Sequence, residues 1–168
     1  LDVRSALPRS APAAHTGRGE FAVGGATLAV GVGNSGFVFD NELGEHEVVL
    51  ADFRIGGAPV TWRGFLPFID AGGYRDASCW SAEGWSWRQR SLPHGLPRHL
   101  AHDEAYEHGF KRACFGQWQA LDLDAPAINL SAHEAQAWCR WAGRRLPSEH
   151  EWTLAQAEHG AHFAHGEV

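Results

Sequence analysis

The sequence predicts an α+β domain with long irregular connections, and three observations predict it. Two short helical segments, one opening at Ser131 and one at Ser148, are separated by a glycine, two arginines and a proline. Short runs of strand-forming residues lie near the start, at 27–30 and 46–55. Between these regions, residues 74–127 carry several tryptophans but no sustained helical or strand period, so they read as loops held by aromatic packing.

Taken in order, residues 1–19 hold Pro8, Pro12 and several alanines without periodicity and read as a linker or tail. Thr27 to Val30 is a short strand, and His46 to Ile55 is expected to be one longer strand. Thr61 is expected to cap a helix carrying Phe65, Phe68 and Ile69 and closed by Gly72 and Gly73. Pro67 complicates it, since an interior proline costs about 3 kcal/mol. The alternative is a start near Leu66, with Pro67 at the first position.

The last two helices have clearer signals. Ser131 and Glu134 fit a capping box, in which each side chain satisfies the other residue's free backbone amide. Ala135, Trp138, Trp141 and Ala142 then recur at spacings of three and four, one apolar stripe, with Gln136 and Arg140 outside it. Gly143 stands where a helix end needs left-handed backbone angles, and Arg144 and Arg145 suit the negative end of the helix dipole. Pro147 blocks continuation. Ser148 and Glu151 form a second capping box, and Trp152 and Ala155 are expected to begin another apolar stripe.

Composition narrows the function. A chain of 168 residues with 44% apolar content suits one globular domain. A net charge of −6 with signs interspersed leaves no basic stripe to collect phosphates, which argues against nucleic acid as a partner. No apolar run approaches the ~18–20 residues that span a bilayer. No signal peptide is visible. Cys79, Cys114 and Cys139 are odd in number and widely spaced, which indicates neither a disulfide framework nor a zinc knuckle and points to the cytoplasm.

Several motifs invite chemistry. Gly31 to Gly36, GVGNSG, matches G-x-G-x-x-G, but the β-like run Phe37 to Phe39 follows where a nucleotide site needs a helix, so it reads as a glycine-rich turn. Among eleven histidines no two are four apart. His99 with His102, and His159 with His162 and His165, stand at spacing three, and Glu104 or Glu107 could complete a two-histidine, one-carboxylate set with His102 and His108; solvated side chains are the plainer reading. Trp80, Trp85 and Trp87 lie in a stretch read as loop, serving as core anchors or as a cage for a quaternary ammonium, with core favoured. Cys139 sits by a buried stripe and reads as a packed thiol.

The segment WCRWAGRRLPSEHEW, 138–152, resembles the YCRWAGKRLPTEAEWE stretch of the formylglycine-generating-enzyme-like, or sulfatase-modifying-factor, domain. FVFDNELGEHEV (37–48), PVTWRGFLPFIDAGGY (59–74) and CWSAEGWSW (79–87) are similar to one branch, the C-terminal domain of ergothioneine sulfoxide synthases and the related selenoneine synthases. The resemblance runs over 20–168 and implies a partial domain of C-type-lectin-like fold, apparently truncated at its C-terminus: a V-W-E-W-T segment and the rest of the family fold are expected beyond Val168.

It also implies an oxidoreductase that joins a thiol or selenosugar donor to carbon 2 of the hercynine imidazole, using O2 and non-haem Fe(II). The iron is expected on an N-terminal helical domain through H-x-x-x-H-x-E and one further histidine. No H-x-x-x-H occurs here, so no metal ligand is assigned, and the chain alone is expected to be inactive. Trp85 and Trp87 match a loop near the substrate cleft, and catalytic residues are left unassigned. Asp40, Asn41, Glu42 and His46, with Trp141, Gly143, Arg145, Leu146, Pro147, Glu151 and Trp152, match motif positions taken as architectural. Trp62 for a usual Asn, AINLSA at 127–132 and PRHL at 97–100 depart from the branch pattern. The alternatives are a copper-dependent formylglycine-generating oxidase, with its cysteine pair beyond Val168, and a non-catalytic lectin-like module. Half such a fold would expose the Trp138 and Trp141 stripe.

Overall fold

The computed structural model describes residues 19–31 and 44–163, which mix α-helix with small antiparallel sheets. These residues fall into two compact units, one of residues 60–146 and one built from 19–31, 44–59 and 147–163.

In the second unit, β1 (Glu20–Val23) pairs with β4 (Phe53–Gly56), and β2 (Thr27–Val30) pairs with β3 (His46–Val49), both antiparallel. The expected single strand 46–55 is therefore two. Leu50 N donates to Ala26 O and Asp52 Oδ1 accepts from Gly25 N at 2.7 Å, so the chain turns at 50–52 and each half takes a different partner. Gly25 has to be glycine there, since a Cβ would lie 2.5 Å from Leu50 O. Helix α4 (Glu149–His159) follows the predicted capping box at Ser148 and Glu151, both halves of which form. Its buried residues are Glu151, Leu154 and Ala155. Trp152 does not begin a buried stripe as expected. It is 43% exposed, its ring resting on Phe163 at 4.8 Å. Leu154, Ala155, Val23, Ile55 and Phe163 form this unit's core.

In the first unit, α1 runs Trp62–Asp70 with Pro67 inside it, which corrects the alternative start near Leu66. The early turn forms because it buries Trp62, Phe65 and Leu66, and because its first amides find acceptors: Trp62 N bonds Ala125 O and Arg63 N bonds Leu123 O. The 123–127 backbone does the capping that the Thr61 side chain does not. Gly72, at φ 78°, ends the helix: its amide bonds Ile69 O while Gly73 N bonds Phe68 O, a Schellman closure. Gly73 admits no side chain, because a Cβ would fall 2.0 Å from the Phe68 ring.

The stretch 74–127 is far more regular than its sequence indicates. Ser81 caps α2 (Ala82–Ser91), which holds both Trp85 and Trp87, and a three-stranded sheet follows in the order β5 (Leu100–His102), β6 (Phe110–Cys114), β7 (Gln117–Ala120). Helix α2 is invisible to periodicity because apolar and polar residues are not segregated along it, and Gly84 lowers its intrinsic propensity. The physical use of Gly84 is proximity: a Cβ would stand 3.0 Å from Ser81 Oγ and 3.4 Å from His133 Nδ1.

Helix α3 (Ala132–Trp141) opens on the predicted Ser131–Glu134 capping box. It closes as expected, with Gly143 at φ 68°, Gly143 N on Arg140 O and Arg144 N on Cys139 O. Its buried face is centred on Glu134, Ala137, Trp138 and Cys139, rotated from the predicted stripe; Ala135, Trp141 and Ala142 are only half-buried. Trp138 is not exposed as expected for half a fold. Its indole N–H donates to Gly64 O at 3.0 Å, and Trp141 lies against Phe68.

Candidate functional site

The first unit's densest polar chemistry is built around one carboxylate. Glu134 Oε2 accepts from Ser131 N at 2.8 Å, as the capping box requires, and Oε1 accepts from the Tyr74 hydroxyl at 2.6 Å. Tyr74 comes from the turn after α1, and Glu134 from the first turn of α3. Both are buried. Burial first, and then the charge and hydrogen bond of Glu134, push the Tyr74 phenol far above its ordinary value, while the Arg88 guanidinium works the other way. Tyr74 is therefore a fixed hydrogen-bond donor at any physiological pH and not an acid–base catalyst.

Around this pair the aromatic side chains make a continuous series: Trp62 on Phe65, Phe65 on Phe68, Phe68 on Tyr74, Tyr74 on Trp80, and Trp80 on Trp85. Trp80 is a core residue, its indole N–H bonded to Gly73 O at 2.8 Å. Trp85 and Trp87 are half-buried on α2. The Arg88 guanidinium lies 5.4 Å from the Trp85 ring, and the His133 ring 5.3 Å from Trp87. The three tryptophans do not form a shared cage. One is enclosed, and each of the others has a neighbour of its own, a guanidinium and an imidazole.

The histidine sets are dispersed. His99 precedes β5 and His102 ends it, with the His102 ring on Phe110 at 4.4 Å, and Asp103 bonds Lys111 Nζ at 2.8 Å. In the second unit His159 and His162 stand 5.6 Å apart, both against Phe21. Beside them an open hollow of about 450 Å³ is lined by Gly19, Glu20, Phe21 and His162. Among the described residues no three His, Cys, Asp or Glu side chains converge as a metal site requires. The described residues therefore do not fit an iron site. Cys79 and Cys139 are buried, and burial raises the Cys139 thiol.

Several motif residues sit at turns and caps. His46 Nδ1 is 2.9 Å from Gly44 O at the start of β3. Gly143 supplies the left-handed residue, Pro147 precedes the N-cap, and Glu151 returns to Ser148 N at 2.8 Å. Arg145 and Leu146 lie exposed in the corner, with Arg145 Nη1 on Leu146 O. Asp40, Asn41, Glu42, the GVGNSG residues beyond Gly31, and His165 lie outside the described residues. Sequence reasoning missed Tyr74, Arg88 and His133. Glu134 was legible as a cap, but its second hydrogen bond spans 60 positions and has no local signature.

Residues 6–167 match the profile of the sulfatase-modifying factor enzyme 1-like domain. The chain belongs to that family. Within it, the chain is 42% identical over 118 residues to a protein named hercynine oxygenase from Mycobacterium tuberculosis, covering 70% of this chain and 26% of the relative. A hercynine oxygenase from Mycolicibacterium thermoresistibile is 35% identical over 130 residues, covering 77% and 28%. A formylglycine-generating enzyme from Thermomonospora curvata is 28% identical over 161 residues, covering 89% and 52%. The chain spans about a quarter of the length of the hercynine oxygenases it matches.

Proposed function

We propose that this chain is part of an O2-dependent oxidoreductase of ergothioneine or selenoneine biosynthesis that acts on hercynine, with the mononuclear iron held by an N-terminal helical domain outside it. The observation that carries this is the graded similarity within the family: 35–42% identity to the hercynine oxygenases against 28% to the formylglycine-generating enzyme. In the sulfur case a C–H bond of the imidazole and an S–H bond of the donor are lost and a C–S bond forms. One oxygen atom goes to sulfur and the other leaves as water. The proposal carries with it a C-type-lectin-like fold continued by further polypeptide.

In this proposal the first unit is a wall of the substrate cleft. Trp85 and Trp87 remain its candidates, because both keep part of their ring surface exposed on α2 beside fixed polar partners, Arg88 and His133. Aromatic surface of this kind attracts a trimethylammonium group by cation–π interaction, ~0.5–2 kcal/mol according to hydration. Among the described residues no helix is long and apolar enough to cross a membrane. Three cysteines, odd in number and widely spaced, suit a reducing compartment, and we place the enzyme in the cytoplasm.

The test is to assay the complete gene product and the 168-residue chain with hercynine, O2, Fe(II) and either a thiol or a selenosugar, following coupled product by mass spectrometry. Coupling by the complete product, with none by the chain alone, is the expected result. Copper-dependent formylglycine formation on a cysteine peptide would assign it to the oxidase branch instead, and neither activity would make it a binding module.

A further inference from the structure

Arg88 is held in place by the first unit but given no counter-charge. It is half-buried, its Nε is enclosed without a hydrogen-bond partner, and among the described residues no ion pair balances it. Glu134, whose charge acts on Tyr74 as that of Arg88 does, has both oxygens engaged, one by the Tyr74 hydroxyl and one by Ser131 N. Burying a guanidinium without acceptors is costly. Yet the side chain is fixed on two sides. The Trp85 ring lies 5.4 Å away, and the turn after α2 closes on the other side, with Gly95 N on Leu92 O. Gly95, at φ 70°, comes so near that a Cβ would stand 2.8 Å from Nη2. A cation positioned in advance and lacking an acceptor is prepared for an anion from outside, and a planar fork suits a carboxylate best.

The same guanidinium separates the roles of the two candidate tryptophans. Trp85 carries Arg88 over its ring and meets Trp80 at 6.4 Å. A second cation on that ring would sit against the first, and their repulsion is comparable with the whole cation–π attraction. Trp87 is different. It is half-buried beside the His133 imidazole, and among the described residues no guanidinium or ammonium lies over it. Residues 87 and 88 are consecutive on α2, their Cα atoms about 3.8 Å apart. In hercynine the carboxylate and the trimethylammonium are borne by one carbon, so the groups that read them have to be neighbours as well.

We propose that α2 reads the two charges of hercynine separately: Arg88, braced on Trp85, takes the carboxylate through its Nη end, and Trp87 takes the trimethylammonium group. This rests on the reading of hercynine as substrate and deepens it. Trp85 is then the support of the anion site and not itself a cation site. Two-point recognition of this kind selects a betaine over an amine or an ester, because losing either charge leaves one of the two groups without its partner.

Isothermal titration calorimetry on the complete gene product tests this, with hercynine, its carboxamide, unmethylated histidine and the thiol donor as titrants. Arg88→Gln should weaken hercynine binding about tenfold and carboxamide binding by less than about twofold, and Arg88→Lys should recover part of the loss. Trp87→Leu should weaken hercynine about fivefold and histidine by less than about twofold. Equal weakening of hercynine and its carboxamide, a loss confined to the thiol donor, or no binding of hercynine by the unmutated protein would each overturn the proposal. So would a lowered Tm with unchanged hercynine affinity in Arg88→Gln, which would show that Arg88 answers a carboxylate of the protein itself. The expected binding pattern without coupled product would instead count against the oxygenase reading and leave the betaine subsite standing.

Discussion

The two cores are built from different materials. The first unit's core draws on Trp62, Trp80 and Trp138, and two of these indoles donate to distant carbonyls, Gly73 O and Gly64 O. The second unit's core has Val23, Ile55, Leu154, Ala155 and Phe163, gathered by short strands and one face of α4. A tryptophan with a bonded N–H fixes orientation as well as area, so the first core is specified by geometry. The aliphatic second core is specified mainly by volume and tolerates exchange of similar shapes.

Truncation sharpens that contrast most. Trp138→Ala should cost about 3–5 kcal/mol, read by chemical denaturation, because it loses buried area and leaves the Gly64 carbonyl without the indole. Leu154→Met should cost under about 1.5 kcal/mol; equal losses in the two variants would dissolve the contrast. Glu134→Ala comes next, at about 2–3 kcal/mol, since it strands the buried Tyr74 hydroxyl and opens the capping box together. Ser148→Ala removes one half of a cap alone and should cost about 1 kcal/mol.

Smaller effects follow from titration. The raised Tyr74 phenol contributes stability that is complete below the unfolded-state value near 10 and declines as pH rises above it, because only the unfolded chain then ionises. Absorbance at 295 nm should therefore show the Tyr74 phenolate appearing only on unfolding. At the acid end, Asp103 and Asp124 are held low by hydrogen bonds from Lys111 and Arg63, and these pairs, the first part-buried and the second exposed, give a slight stability lost as pH falls below about 4. Thiol labelling at pH 8 should be fastest at half-exposed Cys114 and slow at Cys79 and Cys139.

What the sequence disclosed was whatever is written locally. Both capping boxes, both glycine closures and the corner at 143–148 follow from residues within a few positions of one another, and all are present. Helix α2 was hidden because its apolar residues follow no single face, and the β5–β7 sheet because its strands are three to five residues long. The split of 46–55 depends on Gly25 and Ala26, two dozen positions upstream. For the candidate site, Trp85 and Trp87 were legible as residues, but Arg88 meets Trp85 only because the unrecognised α2 is helical, and His133 reaches Trp87 only by the folding of α2 onto α3.

Pro67 has no amide to return to the carbonyl one turn back, and the neighbouring Gly64 carbonyl serves the Trp138 indole, 74 positions later. A helix completed by so distant a ring matures late when the protein is made: as the chain leaves the ribosome, α1 waits for α3 to emerge. A nascent chain halted before residue 138 should leave the 62–70 segment frayed and open to proteases, and releasing the stall should protect it within the folding time of the unit.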